Sequence, residues 1–309
     1  MKIVFMGTPQ AAVPSLERLL ADGHDVAAVY TQPDRPSGRG NKVVFSPVKQ
    51  FAADRGLPVM QPSKIRTPDA LEEFQAFEAD VAVVVAYGRI LPEGFLNAVP
   101  YGAINVHFSL LPKYRGAAPV NWAIVNGETV TGVTTMKMDA GLDTGDILLQ
   151  RETEIGHDEN AIELMERLSH AGSQLLSETM SRLNDIRPQE QDHSSATHAP
   201  IMTREDGKFD WSMQADEISR RVRGFQPFPT TYTYWEGKKL TLWKVKTVEA
   251  NSGSGKPGTV IAAKADDLVV ECGSGTGLQI DELQLEGKRR MSARDFLNGV
   301  RLSVGDALE

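Results

Sequence analysis

Short apolar runs alternate with helix-like patterns through the first third of this sequence, and that alternation limits the folds open to the chain. The apolar runs lie at residues 3–6, 26–30, 57–60, 81–86 and 102–106. Between them lie amphipathic stretches at residues 10–21, 45–55 and 69–77. This order predicts an α/β fold with a doubly wound, mostly parallel sheet, in which ligands bind at the carboxyl ends of the strands.

A second pattern begins after a long amphipathic helix, which is predicted over residues 159–183 and closes the first domain at residues 1–185. Residues 186–204 are polar and lack periodicity, so they are predicted to form a linker. One more helix is predicted at residues 215–225. Five short runs rich in β-forming residues follow, at 230–235, 239–245, 258–262, 268–271 and 278–285. Their number and spacing predict a small OB-like β-barrel in a second domain at residues 205–309.

The composition is ordinary for a globular protein, with 41% hydrophobic and 24% charged residues among 309. It excludes disordered, collagen-like and coiled-coil chains. The one cysteine, Cys272, has no internal disulfide partner, so we expect a buried thiol in a reducing compartment. Because no apolar run approaches the ~20 residues of a membrane span and no signal peptide is visible, the sequence predicts a cytoplasmic protein that does not enter a membrane.

Charge is distributed unevenly along the chain. Residues 204–309 hold 16 basic and 16 acidic side chains, so residues 1–203 carry the whole net charge of −8. A polyanion would find no general attraction to such a protein and would need local groups of cations. The densest group in the acidic half is Arg35, Arg39 and Lys42, in a glycine-containing stretch without acidic residues. This stretch is either a solvated surface loop or a phosphate-binding loop.

Asn105 and His107 stand two residues apart at the end of a predicted parallel strand, so both side chains leave the same face. An amide and an imidazole at that edge can donate hydrogen bonds to an oxygen that gains charge during acyl transfer. The imidazole can also move a proton near neutral pH. The alternative is a structural histidine beside a turn-forming asparagine. The loop that follows, residues 109–116, holds a proline, a glycine and two cations, a composition that favours ligand binding.

Residues 139–146 contain three aspartates, Asp139, Asp143 and Asp146. Their spacing does not match a calcium loop, so we expect no metal there. The stretch is either a surface turn or a loop that delivers one carboxylate to the cleft of His107, where it would favour the charged imidazole. The sequence contains no G-x-S-x-G nucleophile motif, no glycine-rich dinucleotide fingerprint after the first strand and no zinc-ligand spacing.

These segments together resemble one family, the 10-formyltetrahydrofolate-dependent formyltransferases. Asn105, His107 and Asp143 match the catalytic Asn-His-Asp set of that family. Residues 109–116, Ser-Leu-Leu-Pro-Lys-Tyr-Arg-Gly, are similar to its folate-site signature. Residues 35–49, the stretch around Asp143 and the C-terminal domain resemble the members of the family that act on methionyl-tRNA.

The resemblance implies transfer of a formyl group from 10-formyltetrahydrofolate to the α-amino group of initiator methionyl-tRNA, for translation initiation. The folate is then a consumed co-substrate, and no bound cofactor or metal is implied. Asn105 and His107 would stabilise the tetrahedral oxyanion, and Asp143 would hold His107. The family also implies a monomer and a folate site along Tyr87, Gly88, Ile90, Ser109, Leu110, Leu111 and Pro112.

The same resemblance gives the cations a partner. Arg35, Arg39 and Lys42 are expected to contact the acceptor end of the tRNA, and Lys244 and Lys246 of the barrel its body. Two other functions stay open. One is formyl transfer to an amino-sugar nucleotide, by enzymes that also have a C-terminal barrel. The other is folate or RNA binding without catalysis, which would leave the Asn-His-Asp set unexplained.

Overall fold

The computed structural model describes residues 1–37, 42–250 and 256–309, and the chain divides into two structural units. Unit 1 comprises residues 1–119, 130–154 and 165–199. Unit 2 comprises residues 120–129, 155–164 and 200–309. None of the helices in these described ranges has the length and apolar character needed to cross a membrane.

A seven-stranded sheet is the centre of unit 1. The described strands of this unit are β1 (Lys2–Gly7), β2 (Asp25–Tyr30), β3 (Arg35–Ser37), β4 (Lys42–Val44), β5 (Val59–Met60), β6 (Val81–Val85), β7 (Ala103–His107), β8 (Arg115–Gly116), β9 (Val130–Lys137), β10 (Ile147–Glu154) and β11 (His198–Ala199). The sheet order is β10-β9-β7-β6-β1-β2-β5. Strands β7 to β5 of that order run parallel, and β9 and β10 pair antiparallel at one edge. The order reverses between β1 and β6, which confirms the doubly wound sheet and directs ligands to its carboxyl edge.

Several of the described helices begin directly after a residue whose side chain caps them. The described α-helices are α1 (Val13–Ala21), α2 (Pro47–Ala53), α3 (Pro68–Gln75), α4 (Glu93–Leu96), α5 (Pro119–Val125), α6 (Ala161–Ser181), α7 (Ala215–Gly224) and α8 (Ala293–Gly299). Ser46 caps α2 by accepting a hydrogen bond from the backbone N–H of Lys49 at 3.1 Å, and Pro47 occupies the first helical position. The helices predicted at residues 45–55, 69–77 and 159–183 are present; α2 and α6 are each four residues shorter than their patterns, and α3 is one residue shorter.

The central strands of unit 1 are buried on both faces. Every residue of β6 and of β7 is buried, as expected of parallel strands covered by helices on both sides. Beside them an aromatic cluster forms, in which the ring of Phe74 lies 4.8 Å from that of Phe95 and 5.9 Å from that of Tyr30. This packing fixes the strand ends from which the loops of the carboxyl edge emerge.

The polar stretch that was predicted to be a linker packs largely on unit 1. Strand β11 pairs in parallel with β8, and Ala199 is fully buried. Gln191 is also buried, at 3% exposure. This segment is held by hydrogen bonds rather than by an apolar face, so it lacks the periodicity from which an ordered element would be predicted.

Unit 2 contains an antiparallel sheet with the order β12-β13-β16-β15-β14, with β17 paired to β16. Its strands are β12 (Thr231–Trp235), β13 (Lys238–Glu249), β14 (Val260–Lys264), β15 (Asp267–Glu271), β16 (Thr276–Leu285) and β17 (Met291–Ser292). Residues 306–309 join the two edge strands. The backbone of Glu309 exchanges hydrogen bonds with Tyr234, and the N–H of Leu308 donates to the carbonyl of Gly258 at 2.9 Å. The sheet thus closes into the predicted small barrel, which leaves its edges paired.

The barrel of unit 2 encloses an apolar core. Inward side chains include Leu240, Leu242, Val260, Leu268, Val270, Leu278, Ile280 and Leu283. Cys272 is part of this core at 1% exposure, and its Sγ donates to the carbonyl of Val270 at 3.6 Å. Burial raises the pKa of the Cys272 thiol to about 12. The expectation of a buried, structural cysteine is confirmed.

Candidate active site

Asn105 and His107 project from the same face of β7, at the carboxyl edge of the parallel sheet. The strand lies between β6 and β9, with Asn105 opposite Met136 and His107 opposite Thr134. The two residues are 8% and 6% exposed. The carboxamide of Asn105 forms no hydrogen bond to the described part of the chain, so it is free to donate to a ligand at this edge.

The ring of His107 is held by a backbone carbonyl. Its Nε2 lies 2.9 Å from the carbonyl oxygen of Tyr114. A carbonyl only accepts hydrogen bonds, so Nε2 carries the proton and Nδ1 of the neutral ring is the acceptor. Nδ1 is therefore the nitrogen that can take up a proton during a reaction.

Asp143 lies beside that nitrogen. Its Oδ2 is 3.8 Å from Nδ1 of His107, which is within ion-pair range but too long for a hydrogen bond. The same oxygen accepts a hydrogen bond from the N–H of Gly116 at 2.8 Å. Asp143 therefore makes no hydrogen bond to the imidazole, and the ring is instead hydrogen-bonded to the carbonyl of Tyr114.

The loop at residues 139–146 is stabilised by hydrogen bonds between its own residues. The carboxylate of Asp139 accepts hydrogen bonds from the N–H of Gly141 at 3.0 Å and from Oγ1 of Thr144 at 2.7 Å. Asp143 has a φ of +52°, in the left-handed region that few non-glycine residues adopt. The sequence left open whether this stretch is a surface turn or a loop that brings a carboxylate to His107. The structure places the carboxylate of Asp143 next to the His107 ring.

Gly116 is a glycine for a steric reason. Its φ is +123°, and a Cβ at this position would lie 2.6 Å from the carbonyl oxygen of Ala199. The close approach allows β8 to pair with β11, and it leaves the N–H of Gly116 pointing at Asp143.

The predicted folate loop, residues 109–112, is tied to β9 and β10. Oγ of Ser109 donates to the carbonyl of Lys113 at 2.6 Å. Thr134 donates to the carbonyl of Ser109 at 2.7 Å and accepts from the N–H of Leu111 at 3.2 Å. Ser109 and Leu111 are buried, whereas Leu110 and Pro112 are half-buried and keep apolar surface at the loop. The loop that follows Asn105 and His107 in the sequence is thus held in place by hydrogen bonds.

The second predicted folate segment follows β6. The side chain of Tyr87 lies in the core, where burial raises the pKa of its phenol, and its carbonyl accepts from Oγ1 of Thr8 at 3.1 Å. Gly88 turns the chain with a φ of +81°, and Ile90 is 61% exposed. Only the backbone of Tyr87 can therefore face a ligand, together with Gly88 and the Ile90 side chain.

The predicted tRNA contacts differ in what the structure describes. Arg39 lies outside the described residues, and Arg35 and Lys42 are described in their backbone alone, in the paired strands β3 and β4. Lys244 and Lys246 are exposed on β13. Nζ of Lys246 also lies 2.9 Å from the carboxylate of Asp281, and this bond raises the pKa of Lys246.

Asp34, which directly precedes β3, belongs to a polar cluster with Lys49 and Gln61 that sequence reasoning missed. Lys49 forms an ion pair with Asp34, and its Nζ donates to Oε1 of Gln61 at 2.7 Å. Nε2 of Gln61 donates to Asp34 at 2.9 Å. These hydrogen bonds hold the pKa of Asp34 below its usual range.

Sequence reasoning also missed three contributors at the centre: the carbonyl of Tyr114, the N–H of Gly116 and the side chain of Gln191. Backbone groups leave no trace in residue identity. Gln191 donates to the carbonyl of Asp143 at 2.9 Å, from a stretch that is polar throughout. A glutamine in such a stretch gives no signal of burial.

Comparison with known proteins agrees with this geometry. The formyl transferase family model matches residues 1–180, and that of the formyl transferase C-terminal domain matches residues 201–301. The methionyl-tRNA formyltransferase of Geobacter metallireducens is 50% identical over 307 residues, which are 99% of this chain and 97% of that protein. The methionyl-tRNA formyltransferase of Caldanaerobacter subterraneus is 49% identical over 312 residues, with 100% of both chains covered.

A solved structure shares the fold at lower identity. The N-formyltransferase from Helicobacter canadensis, in complex with folinic acid and dTDP-3-aminofucose, matches with a TM-score of 0.68 and 20% identity, over 91% of this chain and 98% of that one. At that identity the likeness concerns the fold alone. With both family models matched and full-length relatives at about half identity, the chain belongs to the formyl transferase family, among the methionyl-tRNA formyltransferases.

Proposed function

We propose that this chain transfers a formyl group from 10-formyltetrahydrofolate to the α-amino group of initiator methionyl-tRNA, giving N-formylmethionyl-tRNA for translation initiation. The observation that carries the proposal is the meeting of Asn105, His107 and Asp143 at the carboxyl edge of the sheet. The full-length identity to proteins named methionyl-tRNA formyltransferase supports the choice of acceptor.

Asn105 supplies the hydrogen bond that matters most in the transition state. The amine attacks the formyl carbon, a C–N bond forms, and the carbonyl oxygen becomes an oxyanion. The free N–H of the Asn105 carboxamide donates to that oxygen as its charge develops. Loss of one such donor typically costs ~3 kcal/mol of activation free energy, about a 10²–10³-fold decrease in rate.

His107 handles the proton. With Nε2 held by the carbonyl of Tyr114, Nδ1 accepts the proton that the attacking nitrogen releases, directly or through water. The resulting imidazolium faces the carboxylate of Asp143, which stabilises it, and can itself donate to the oxyanion. The tetrahedral intermediate then collapses, the bond to N10 of the folate breaks, and N10 takes the proton as tetrahydrofolate leaves.

The remaining site residues have binding roles in this proposal. The folate lies against Tyr87 (by its backbone), Gly88, Ile90, Ser109, Leu110, Leu111 and Pro112. Arg35, Arg39 and Lys42 contact phosphates near the acceptor end of the tRNA, and Lys244 and Lys246 contact its body. We place the catalytic domain at residues 1–185 and the tRNA-binding domain at residues 205–309, and we expect a cytoplasmic monomer.

One assay separates this function from its alternatives. The protein is mixed with 10-formyltetrahydrofolate and with methionylated initiator tRNA, a methionylated elongator tRNA, a dTDP-linked amino sugar, or no acceptor, and the release of tetrahydrofolate is followed. Of these four conditions, we expect rapid release of tetrahydrofolate only with the initiator tRNA. Release with the amino sugar instead would establish the sugar formyltransferase, and no release with any acceptor would leave a binding protein.

A further inference from the structure

The side chain of Gln191 bridges the two loops that meet at His107. Its Nε2 donates to the carbonyl of Asp143 at 2.9 Å and to the carbonyl of Gly145 at 2.6 Å. Its Oε1 accepts from Nε of Arg115 at 3.0 Å and from Nη2 of Arg115 at 2.7 Å. Both N–H donors and both lone pairs of the carboxamide are therefore used.

These four bonds permit one orientation of the carboxamide. Turning it by half a revolution would set the NH2 group against the guanidinium of Arg115 and the oxygen against two carbonyl oxygens. Gln191 and Arg115 are both buried, so water does not replace the bonds when they are lost. The bridge therefore behaves as a rigid connection between residue 115 and residues 143–145.

Each end of the bridge lies next to a group that places the Asp143 carboxylate. At one end Arg115 precedes Gly116, whose N–H donates to Oδ2 of Asp143 at 2.8 Å. At the other end Gln191 holds the carbonyl of Asp143 itself, in the left-handed backbone conformation that aims the carboxylate at His107. A small shift of the Asp143 loop would change the 3.8 Å separation between Oδ2 and Nδ1 of His107.

We infer that Gln191 is a positioning residue for formyl transfer, which keeps the carboxylate of Asp143 beside His107 by clamping the Asp143 loop to Arg115. This inference rests on the proposed role of Asp143. Gln191 touches neither the reacting atoms nor His107, so its effect passes through Asp143. It ties the active site to the polar segment beyond residue 186.

The substitution Gln191→Glu tests the clamp most directly. Glutamate has the same size and still accepts from Arg115, but it places a carboxylate oxygen against the carbonyls of Asp143 and Gly145. We expect kcat to fall about 10–100-fold, with KM for both substrates little changed.

The control is Gln189→Glu, which makes the same chemical change at an exposed side chain two residues earlier and should leave kcat and both KM values as in the wild type. Gln191→Met, which buries no new charge, serves as a second variant if the glutamate variant does not fold.

A double-mutant cycle with Asp143→Asn decides whether Gln191 acts through Asp143. In the asparagine background, Gln191→Glu or Gln191→Met should cause little further loss of kcat, since the carboxylate it positions is already absent. Losses that multiply, or an unchanged kcat in a folded Gln191 variant, would overturn the inference. Full activity of Asp143→Asn alone would instead overturn the proposed role of Asp143.

Discussion

Oδ2 of Asp143 lies 3.8 Å from Nδ1 of His107 and accepts its hydrogen bond from the N–H of Gly116 instead. Since the carboxylate makes no hydrogen bond to the ring, its negative charge is its means of acting on the imidazole, and the ring orientation is set by the carbonyl of Tyr114. A substitution that removes the charge while keeping the shape separates these two effects.

For that reason Asp143→Asn should leave the fold intact, because the amide oxygen can still accept from Gly116. We expect turnover to fall by roughly 10²–10⁴-fold, the range of a lost acid–base contribution. Single-turnover kinetics of both proteins measure this, and an unchanged rate in a folded variant would show that the charge of Asp143 does not contribute to the reaction.

Asn105→Ala removes the free carboxamide on β7. Because this donor acts on charge that develops in the transition state, we expect kcat to fall about 10²–10³-fold while the dissociation constant for the formylfolate stays near its wild-type value. Single-turnover rates and equilibrium folate binding give the two quantities. A raised folate dissociation constant with unchanged turnover would assign Asn105 to binding.

The double variant Arg39→Ala, Lys42→Ala tests the phosphate-binding interpretation of residues 35–42. Each phosphate contact contributes roughly −0.7 to −0.9 to the slope of log affinity against log salt, so two lost contacts should make the slope shallower by about one to two. Affinity for tRNA is measured across a salt series, with formylfolate affinity as the control. If neither tRNA affinity nor its salt slope changes, the stretch is a solvated loop.

Cys272 makes stability depend on pH at the alkaline end. The thiol of an unfolded chain has a pKa of about 8.5, whereas burial raises the pKa of Cys272 in the folded chain to about 12. Between these values the unfolded state loses a proton that the folded state keeps. The free energy of unfolding therefore falls as pH rises, by roughly 1.4 kcal/mol per unit, and the full stability is present below that range.

Urea unfolding at pH 7 and pH 10, for the wild type and Cys272→Ala, measures this dependence. The wild type should lose about 2 kcal/mol more than the variant between the two pH values. The buried tyrosines contribute equally to both proteins and cancel in the comparison. Equal losses would show that the thiol ionises in the folded state at its ordinary pKa.

Leu308 tests the closure of the barrel. Its side chain is buried in the core of unit 2, and its N–H bonds to Gly258. Leu308→Ala should lower the free energy of unfolding of unit 2 by about 2–4 kcal/mol. Val304→Ala, at an exposed position four residues earlier, is the matched control and should change it by less than about 0.5 kcal/mol. Equal effects would mean that residues 306–309 do not hold the barrel.

The sequence predicts those parts of the molecule that depend on side-chain pattern. The apolar pattern is enough to predict the strand that carries Asn105, and the spacing of two residues is enough to place His107 on the same face of that strand. Strand β11 and the Asp143 loop depend on hydrogen bonds to backbone groups and to Gln191, which no apolar pattern records. The same holds for residues 306–309, whose pairing with β12 and β14 joins main-chain atoms far apart in sequence.

The two units are interleaved along the chain, because unit 2 includes residues 120–129 and 155–164 as well as residues 200–309. Neither unit can be excised as one continuous peptide. Trp122, for example, packs edge-on against Phe225 and donates to the carbonyl of Pro200, both of which are synthesised long after it. During translation the helix that carries Trp122 therefore cannot reach its final packing until residues 200–225 have been synthesised. Exchanging residues 200–309 for an unrelated domain would leave the apolar surface of that helix exposed to solvent.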